Sequence, residues 1–382
     1  MSMLTQASDS LNKFSMALYS KVVANKPKEN MFYSPASIYV ALAMTYVGTR
    51  GNTAKEIEHV MNWKNPETVN EMIQSLQEPI FAASGVELSL ANRLWVQQGY
   101  PILKEYTDML QSFYQAEMGI ADFVNKATEA RETINNWVET KTNGNIKDLI
   151  EDDVLTSLTR LVLANAVYFK GFWEKRFNKR HTHTGKFKVS KTETVKVRMM
   201  NQTGVYLYEW NEELSCKILK LPYTEKKVAM VIFLPDEVDG LVELENKLNA
   251  DHIRNCDTTM SSRSVNVGLP RLKLNCQFNM NDILSLLGIC DLFDIRNADL
   301  SGVTGDSQLY VSDAIHQAFV NVDEEGTEAA AATAVVMNIR CSPPRPEVFL
   351  ADHPFLFVIQ HCESGAILFQ SRVLSPEYER DR

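Results

Sequence analysis

The chain has 382 residues, 45% of them hydrophobic, and a formal net charge of −9 at pH 7. A chain of this size can bury an ample core without staples, and its acidic balance argues against nucleic acid as the main partner. The polar N-terminus from Ser2 to Asp9 indicates neither a signal peptide nor a membrane span. Either a signal was removed before residue 1 or the protein is cytoplasmic. The Met1 start favours a cytoplasmic protein, with release to the extracellular space left open.

Helices dominate the first third of the chain. Apolar residues recur at three- and four-residue spacing from Leu11 to Val22, which predicts an amphipathic helix. Ser34 is placed to cap a second helix, with Pro35 at its first position. Thr53-Ala54-Lys55-Glu56 has the form of a capping box and predicts the start of a third helix. A fourth helix is predicted over 69–81.

Strand patterns follow and become more frequent towards the C-terminus. Alternation from Val86 to Val96 predicts a long strand, and the apolar runs 161–169 and 228–234 predict strands buried on both faces. Helices recur over 103–113 and 127–142. Further strands are predicted over 264–268, 272–278, 309–322, 355–359 and 366–372. Helices first and strands later predict an α+β fold, and no linker or repeat divides the chain.

The six cysteines match no metal or redox spacing, so free thiols are expected in a large chain without a signal peptide. Cys341 differs because it follows an arginine, which favours the thiolate and permits oxidation there. An inert thiol is the simpler interpretation of Cys341.

A basic run extends from Lys175 to His181 and continues to Lys186 and Lys188. It is interpreted first as a solvated loop or edge strand. The alternative is a weak site for an acidic glycan or protein. The candidate glycan-binding residues are Lys175, Arg176, Lys179 and Arg180.

Enzyme signatures are absent from the sequence. There is no nucleophile elbow, no H-E-x-x-H, no phosphate loop and no G-x-G-x-x-G. His181 and His183 could chelate a metal, but no third ligand lies at a useful spacing. We therefore expect no metal, no cofactor and no catalytic residues.

Residues 324–344 read EEGTEAAAATAVVMNIRCSPP and are the most informative segment. The alanines favour a helix by propensity, whereas Gly326, Thr333, Val335 and Val336 favour an extended chain. Small side chains allow a strand to slide between two others without a clash. The segment therefore suits a loop in one state and a strand in another.

Several separated segments resemble one family, the serpins, in the right order along nearly the whole chain. These segments are Phe32-Tyr33-Ser34-Pro35-Ala36-Ser37-Ile38, 163–171 followed by Trp173, 298–303, 315–319 leading into 324–329, and 351–357. The short N-terminus and His353-Pro354-Phe355-Leu356-Phe357 resemble the intracellular, ovalbumin-type branch of that family.

The resemblance implies an α+β fold in one domain over 1–382, with three β-sheets and eight to nine helices. It implies an exposed reactive loop over about 324–346 and leaves a short tail over 377–382. A serpin of this type would be a monomeric suicide inhibitor of proteases rather than an enzyme. A non-inhibitory carrier, chaperone or storage serpin remains an alternative, as does an inhibitor of cysteine proteases.

The resemblance also implies three groups of functional residues. The hinge would be Glu324, Glu325, Gly326, Thr327, Glu328, Ala329, Ala330, Ala331, Ala332 and Thr333. The shutter, beneath the point where the sheet opens, would be Ser34, Ser37, Asn165 and His316. The breach, at the top of that opening, would be Trp173, Arg271 and Glu324.

The reactive bond is expected at Arg340-Cys341. In serpins it lies about fourteen residues beyond the hinge glycine, and counting from Gly326 reaches Arg340. Arg340 is also the only basic residue between Glu324 and Pro344, and its guanidinium suits the acidic pocket of a trypsin-like protease. Arg345 is a weaker candidate because Pro346 follows it.

Overall fold

The structure, a computed structural model, describes residues 2–81, 85–306, 308–325 and 345–377, without the side chains of 78–81. Ten α-helices lie within these ranges, rather than eight or nine, and the last is a single turn. They are α1 (Met3–Asn25), α2 (Pro35–Val47), α3 (Gly51–Val60), α4 (Val69–Phe81), α5 (Lys104–Tyr114), α6 (Ala127–Lys141), α7 (Leu241–Lys247), α8 (Ala250–Thr259), α9 (Met280–Leu287) and α10 (Ser301–Thr304).

Fourteen strands lie within the described ranges. They are β1 (Met31–Tyr33), β2 (Val86–Gln97), β3 (Gly119–Ala121), β4 (Leu161–Gly171), β5 (His183–Lys188), β6 (Thr194–Asn211), β7 (Cys216–Pro222), β8 (Val228–Pro235), β9 (Ser261–Pro270), β10 (Leu272–Asn279), β11 (Asp313–Val322), β12 (Glu347–Leu350), β13 (Phe355–His361) and β14 (Ile367–Val373). The mixture of helices and largely antiparallel strands confirms the α+β prediction.

Counted by hydrogen bonds, the described strands form two sheets rather than three. The larger sheet has the order β1-β14-β13-β8-β7-β6-β9-β12, and β5 also pairs with β6. Strand β6 is 18 residues long and pairs with β9 over Met199–Tyr208 and with β7 over Leu207–Asn211. Because β6 pairs with both β7 and β9, it joins the strands from β1 to β7 in that order with β9 and β12 in one hydrogen-bonded network. The smaller sheet has the order β10-β11-β4-β2-β3.

The local signals at the starts of α2 and α3 had different outcomes. Ser34 caps α2 through its side chain, which accepts a hydrogen bond from the Ser37 N–H, and Pro35 is the first helical residue. The predicted capping box at Thr53 is wrong, since α3 begins at Gly51 and its N-cap, Arg50, makes no side-chain cap. The buried Thr53 hydroxyl instead accepts a hydrogen bond from the Asp299 N–H at 3.0 Å. A tertiary contact therefore uses the hydroxyl that the pattern assigned to the helix start.

Strand β4 is buried on both faces, as its apolar sequence predicts. One face carries Val167 and Phe169 into the main core, and the other packs Ala164 and Ala166 against Ile134 of α6. Strand β4 runs parallel to β11 and antiparallel to β2. The centre of the smaller sheet is therefore a parallel pair with core on each side.

The described part of the chain also bears on the expectations about thiols, charge and membranes. Its five cysteines, 216, 256, 276, 290 and 362, are free, whereas Cys341 lies outside the described residues. The basic run forms a 3₁₀ turn at Lys179–His181 and leads into β5, which pairs with β6 at the sheet margin. No described helix is long and apolar enough to span a bilayer, and no described set of three metal-ligating side chains converges.

Candidate functional site

Four polar side chains implied by the family resemblance meet beneath the parallel pair β4–β11. Ser34 and Ser37 lie at the start of α2, Asn165 lies on β4 and His316 on β11. Asn165 and His316 are opposite each other in the register of the two parallel strands. Each of the four residues is at most 3% exposed. The fold therefore gathers them into one buried polar cluster that touches both central strands.

The hydrogen bonds of His316 define its protonation state. The Ser34 backbone N–H donates to His316 Nε2 at 3.1 Å, and His316 Nδ1 contacts Asn165 Oδ1. A backbone N–H can only donate, so Nε2 carries a lone pair and the ring is neutral with its proton on Nδ1. Complete burial lowers the pKa of His316 to about 3. The imidazole therefore joins α2 to both strands only while it is uncharged.

Asn92 of β2 completes this cluster and was not predicted. Asn165 Nδ2 donates to Ser37 Oγ at 2.7 Å and also contacts Asn92 Oδ1, and the Ser37 hydroxyl donates to Asn92 Oδ1 at 3.1 Å. A sequence signal was present, since Asn92 is the polar residue within the apolar register of β2 from Val86 to Val96. The cluster thus links α2 to three adjacent strands of the smaller sheet.

A second group of contacts lies beyond the end of β11, where Glu324 meets Arg271. Arg271 Nε donates to Glu324 Oε1 at 2.9 Å and its Nη2 lies 2.8 Å from the same oxygen. The Thr182 hydroxyl also donates to this carboxylate, and the Glu324 carbonyl accepts from the Phe177 N–H at 3.0 Å. Burial raises the pKa of Glu324, but the hydrogen bonds from Arg271 and Thr182 outweigh it and leave the pKa below its ordinary value.

Trp173 lies beside this ion pair, as the resemblance implied. Its indole N–H donates to the Asp323 carbonyl at 2.9 Å, and its ring stacks on Tyr223 with centroids 4.7 Å apart. These contacts hold the segment just after β11 against the end of β4. Neither Thr182 nor Tyr223 was identified from the sequence, and no motif marks them.

The remaining predicted residues are only partly within the described chain. Glu325 forms an ion pair with Lys179. The rest of the hinge, Gly326 to Thr333, and the reactive bond Arg340-Cys341 lie outside the described residues. The first two residues of the predicted hinge are therefore anchored beside Trp173.

The candidate glycan residues are not all available as surface cations. Lys175 Nζ donates to the Val205 carbonyl at 3.1 Å and lies over the Tyr206 ring, 5.2 Å from its centroid. Lys179 is the cation that pairs with Glu325. Glycan binding by this run stays a prediction.

Comparison with known proteins identifies the family to which this geometry belongs. The family model described as "Serpin (serine protease inhibitor)" matches residues 9–376, and the chain belongs to the serpin family. It is thus a member of a class of protease inhibitors and not of enzymes.

Individual relatives support the ovalbumin-type branch. The chain is 39% identical to human leukocyte elastase inhibitor over 380 residues, covering 98% of this chain and 100% of the relative. It is 38% identical to the leukocyte elastase inhibitor of Xenopus tropicalis, covering 97% and 99%. Among solved structures, uncleaved ovalbumin matches with a TM-score of 0.89 and 32% identity, covering 97% of this chain and 100% of ovalbumin. Serpin48 of the insect Tenebrio molitor matches with a TM-score of 0.86 and 31% identity, covering 97% and 98%.

His316→Gln should remove part of the pH dependence of stability. The folded pKa of His316 is about 3, whereas histidine in an unfolded chain titrates near about 6.5. Stabilisation by the neutral ring is therefore complete above about pH 6.5 and is lost as the pH falls towards 3, by up to about 1.4 kcal/mol per pH unit.

Denaturant unfolding between about pH 7.5 and 4 measures this effect. The difference in the free energy of unfolding between the unmodified chain and His316→Gln should shrink as the pH falls. All other titrating groups are shared by the two proteins, so their contributions cancel. A difference that stays constant across this range would contradict the assignment of a neutral buried imidazole.

Arg271→Ala should leave the Glu324 carboxylate buried without its cation. We expect the free energy of unfolding to fall by about 3 kcal/mol, as when one partner of a buried ion pair is removed. Adding Glu324→Gln should recover part of the loss, since the uncompensated charge disappears. The control is Arg296→Ala, whose pair with Asp294 is 3.6 Å apart and whose side chain is 85% exposed. Its loss should stay below about 0.5 kcal/mol, and equal losses would refute the special role of Arg271.

Proposed function

We propose that this chain is an irreversible suicide inhibitor of trypsin-like serine proteases, with Arg340-Cys341 as its reactive bond. The protease serine attacks the Arg340 carbonyl carbon, the peptide nitrogen of Cys341 leaves with a proton, and an acyl-enzyme forms at Arg340. The severed segment then inserts between β4 and β11 before the ester is hydrolysed. Membership of the serpin family supports inhibition, and Arg340 supports the trypsin-like class.

The observation that carries this proposal is the parallel pairing of β4 and β11. A strand that follows Glu325 and turns back along β11 must run antiparallel to β11, and therefore antiparallel to β4 as well. Insertion would replace one parallel ladder by two antiparallel ladders, which are slightly more stable per residue. The topology thus supplies a site whose two edges both suit the same incoming strand.

The sequence of the segment fits a buried strand in that site. By strand alternation, one face would carry small or apolar side chains. Those residues are Thr327, Ala329, Ala331, Thr333, Val335 and Met337. Glu328 would fall on the opposite face, where its charge costs little. Burial of the first face adds hydrophobic free energy to the new hydrogen bonds.

The distance moved explains why the acyl-enzyme would be trapped. About fourteen residues lie between Gly326 and Arg340, and at about 3.3 Å per residue a full strand carries the attached protease about 46 Å. The inhibitor pulls on the protease through the ester bond, and the proposal is that this distorts the catalytic groups before water reaches the carbonyl. The adduct then persists because deacylation needs those groups in place.

The two contact groups of the described chain set the conditions for opening. Separating β4 from β11 breaks the contact between Asn165 and His316 and disturbs the bonds of Ser37. The ion pair of Glu324 with Arg271 holds the point from which the inserting strand would start. We infer that the polar cluster and this ion pair act as the shutter and the breach of this inhibitor.

An elastase-like target is the second candidate, because the relatives described above are named leukocyte elastase inhibitor. Elastase has a small specificity pocket, which disfavours Arg340 at the cleaved bond. We further propose a single domain over 1–382 that acts as a cytoplasmic monomer. The name of the relatives supports a protease as its macromolecular partner. The residues 377–382 would then be a C-terminal tail.

Thr327→Arg should convert the inhibitor into a substrate. A buried arginine on the inserting face would stop insertion, so the ester would be hydrolysed and the protease released. Glu328→Arg is the matched control, because the same side chain on the opposite face should leave inhibition near one molecule per protease. Titration of residual protease activity and denaturing gels measure the stoichiometry and the covalent adduct. Equal behaviour of the two variants would refute insertion of this strand.

Arg340→Ala should abolish inhibition of trypsin, because the cation that fills the acidic specificity pocket is lost. We expect the second-order rate constant to fall at least about 100-fold, about 2.7 kcal/mol. Arg345→Ala is the control and should inhibit trypsin as the unmodified chain does. Assaying elastase in parallel tests the second candidate: gain of elastase inhibition by Arg340→Ala supports the assigned bond, and retained trypsin inhibition would place the bond elsewhere.

A further inference from the structure

The segment that would hold the protease is tethered much more closely on one side than on the other. Five residue steps separate Arg340 from Arg345, where the described chain resumes. A fully extended chain spans at most about 3.6 Å per residue, so this tether is no longer than about 18 Å. Fifteen steps separate Glu325 from Arg340, which permits about 54 Å. Before insertion, the position of Arg340 is therefore limited mainly by β12.

This limit determines where a bound protease must lie. A small protein domain is about 30 Å across, which exceeds the length of the shorter tether. A protease with Arg340 in its specificity pocket is therefore held within reach of the surface around Arg345 and the start of β12. Exposed residues around Arg345 are therefore the described ones best placed to contact a bound protease.

A group of contacting residues lies at this position, and we name it the Trp210 surface: Trp210, Lys217, Asp236, Glu347 and Val348. Lys217 is opposite Trp210 in the register of β6 and β7, and its Nζ donates to the Val348 carbonyl of β12 at 3.3 Å. The Trp210 indole N–H donates to Asp236 Oδ2 at 2.8 Å. The pairing of β6 with β7 and the bond from Lys217 thus connect the end of β6 to β12, which begins two residues after Arg345.

The Trp210 surface is exposed and has a definite chemistry. Trp210 is 54% exposed and Val348 is 56% exposed, and the carboxylates of Asp236 and Glu347 are at the surface. Asp236 binds the Trp210 indole, and Glu347 directly precedes Val348, whose carbonyl binds Lys217, so both carboxylates belong to this surface. Burial raises the pKa of the nearby Tyr208, and the charges of Glu347 and Asp236 raise it further. The bond to Asp236 holds the indole at its edge and leaves ring area uncovered. An aromatic face beside two carboxylates favours an arginine or lysine, and tryptophan is enriched at interface hot spots.

We propose that the Trp210 surface is a second contact site for the target protease, and that it selects trypsin-like proteases with an arginine- or lysine-bearing loop beside the active site. This inference rests on the proposed function, because it requires Arg340 to be the residue held by the protease. The site speeds formation of the first complex. It takes no part in loop insertion, since its strands belong to the larger sheet.

The test compares full-length variants against the member of a panel of trypsin-like proteases that the unmodified chain traps fastest. Trp210→Ser should slow covalent complex formation about five- to thirtyfold, the range expected from loss of one cation–π contact. Asp236→Asn should also slow it and should weaken its dependence on salt, because a screened charge pair is removed. The stoichiometry and the rise in thermal midpoint after loop cleavage should not change in either variant.

The matched control is Leu158→Ser, since Leu158 is 71% exposed and precedes the start of β4, at the end opposite Trp173. It should inhibit at the unmodified rate. Trp210→Phe keeps an aromatic ring and should retain part of the rate, which separates a contact role from a folding defect. If Trp210→Ser forms the covalent complex at a rate within twofold of that of Leu158→Ser, this inference is wrong while the proposed function stands. Failure of the unmodified chain to form any covalent adduct overturns the proposed function together with it.

Discussion

The parallel pairing of β4 with β11 is the constraint on which the rest of this molecule depends. Both strands are covered on each face, so the pair is stabilised by packing as well as by its hydrogen bonds. Yet its two strands point the same way, and the chain that leaves β11 can return only in the opposite direction. The same pairing therefore forms the centre of the described sheet and, under the proposed function, defines the gap that a returning segment would fill.

In the proposed mechanism, the polar residues around this pair would make the separation of β4 and β11 a cooperative change. A wholly apolar contact between α2 and the sheet would resist opening by its cavity cost alone. The hydrogen bonds of Ser37, Asn165 and His316 are directional, so a shift of the strands breaks them as a group. Buried bonds of this kind stabilise one arrangement and lose their value when the strands separate. In the proposed mechanism, the ion pair of Arg271 with Glu324 would act similarly at the end of β11.

Sequence reasoning located the elements whose signals are local. The apolar run of β4 and the Ser34-Pro35 start of α2 agree with the structure within two residues. The family resemblance indicated Ser37, Asn165 and His316, which lie far apart in sequence. The residues that sequence reasoning missed act through tertiary contacts. Asn92 was interpreted only as one position of an alternating strand, and no motif marks Thr182. At Thr53, a partner 246 residues away took the hydroxyl that the capping pattern assigned to the helix. The short helices α7 and α8 were not anticipated either, because each offers fewer than three full turns of periodicity.

The position of the Trp210 surface on the larger sheet has a consequence for how strongly it can bind. That sheet is one hydrogen-bonded network through β6, separate from the smaller sheet into which the proposed mechanism would insert the cleaved segment. In the proposed mechanism, each contact between the protease and the Trp210 surface would have to break before insertion is complete, and before the ester is hydrolysed. If the protease bound this surface too tightly, insertion would be slowed, the ester would be hydrolysed first and the protease would be released. One exposed tryptophan, which binds weakly enough to release the protease, would therefore suit this mechanism better than a broad apolar contact surface.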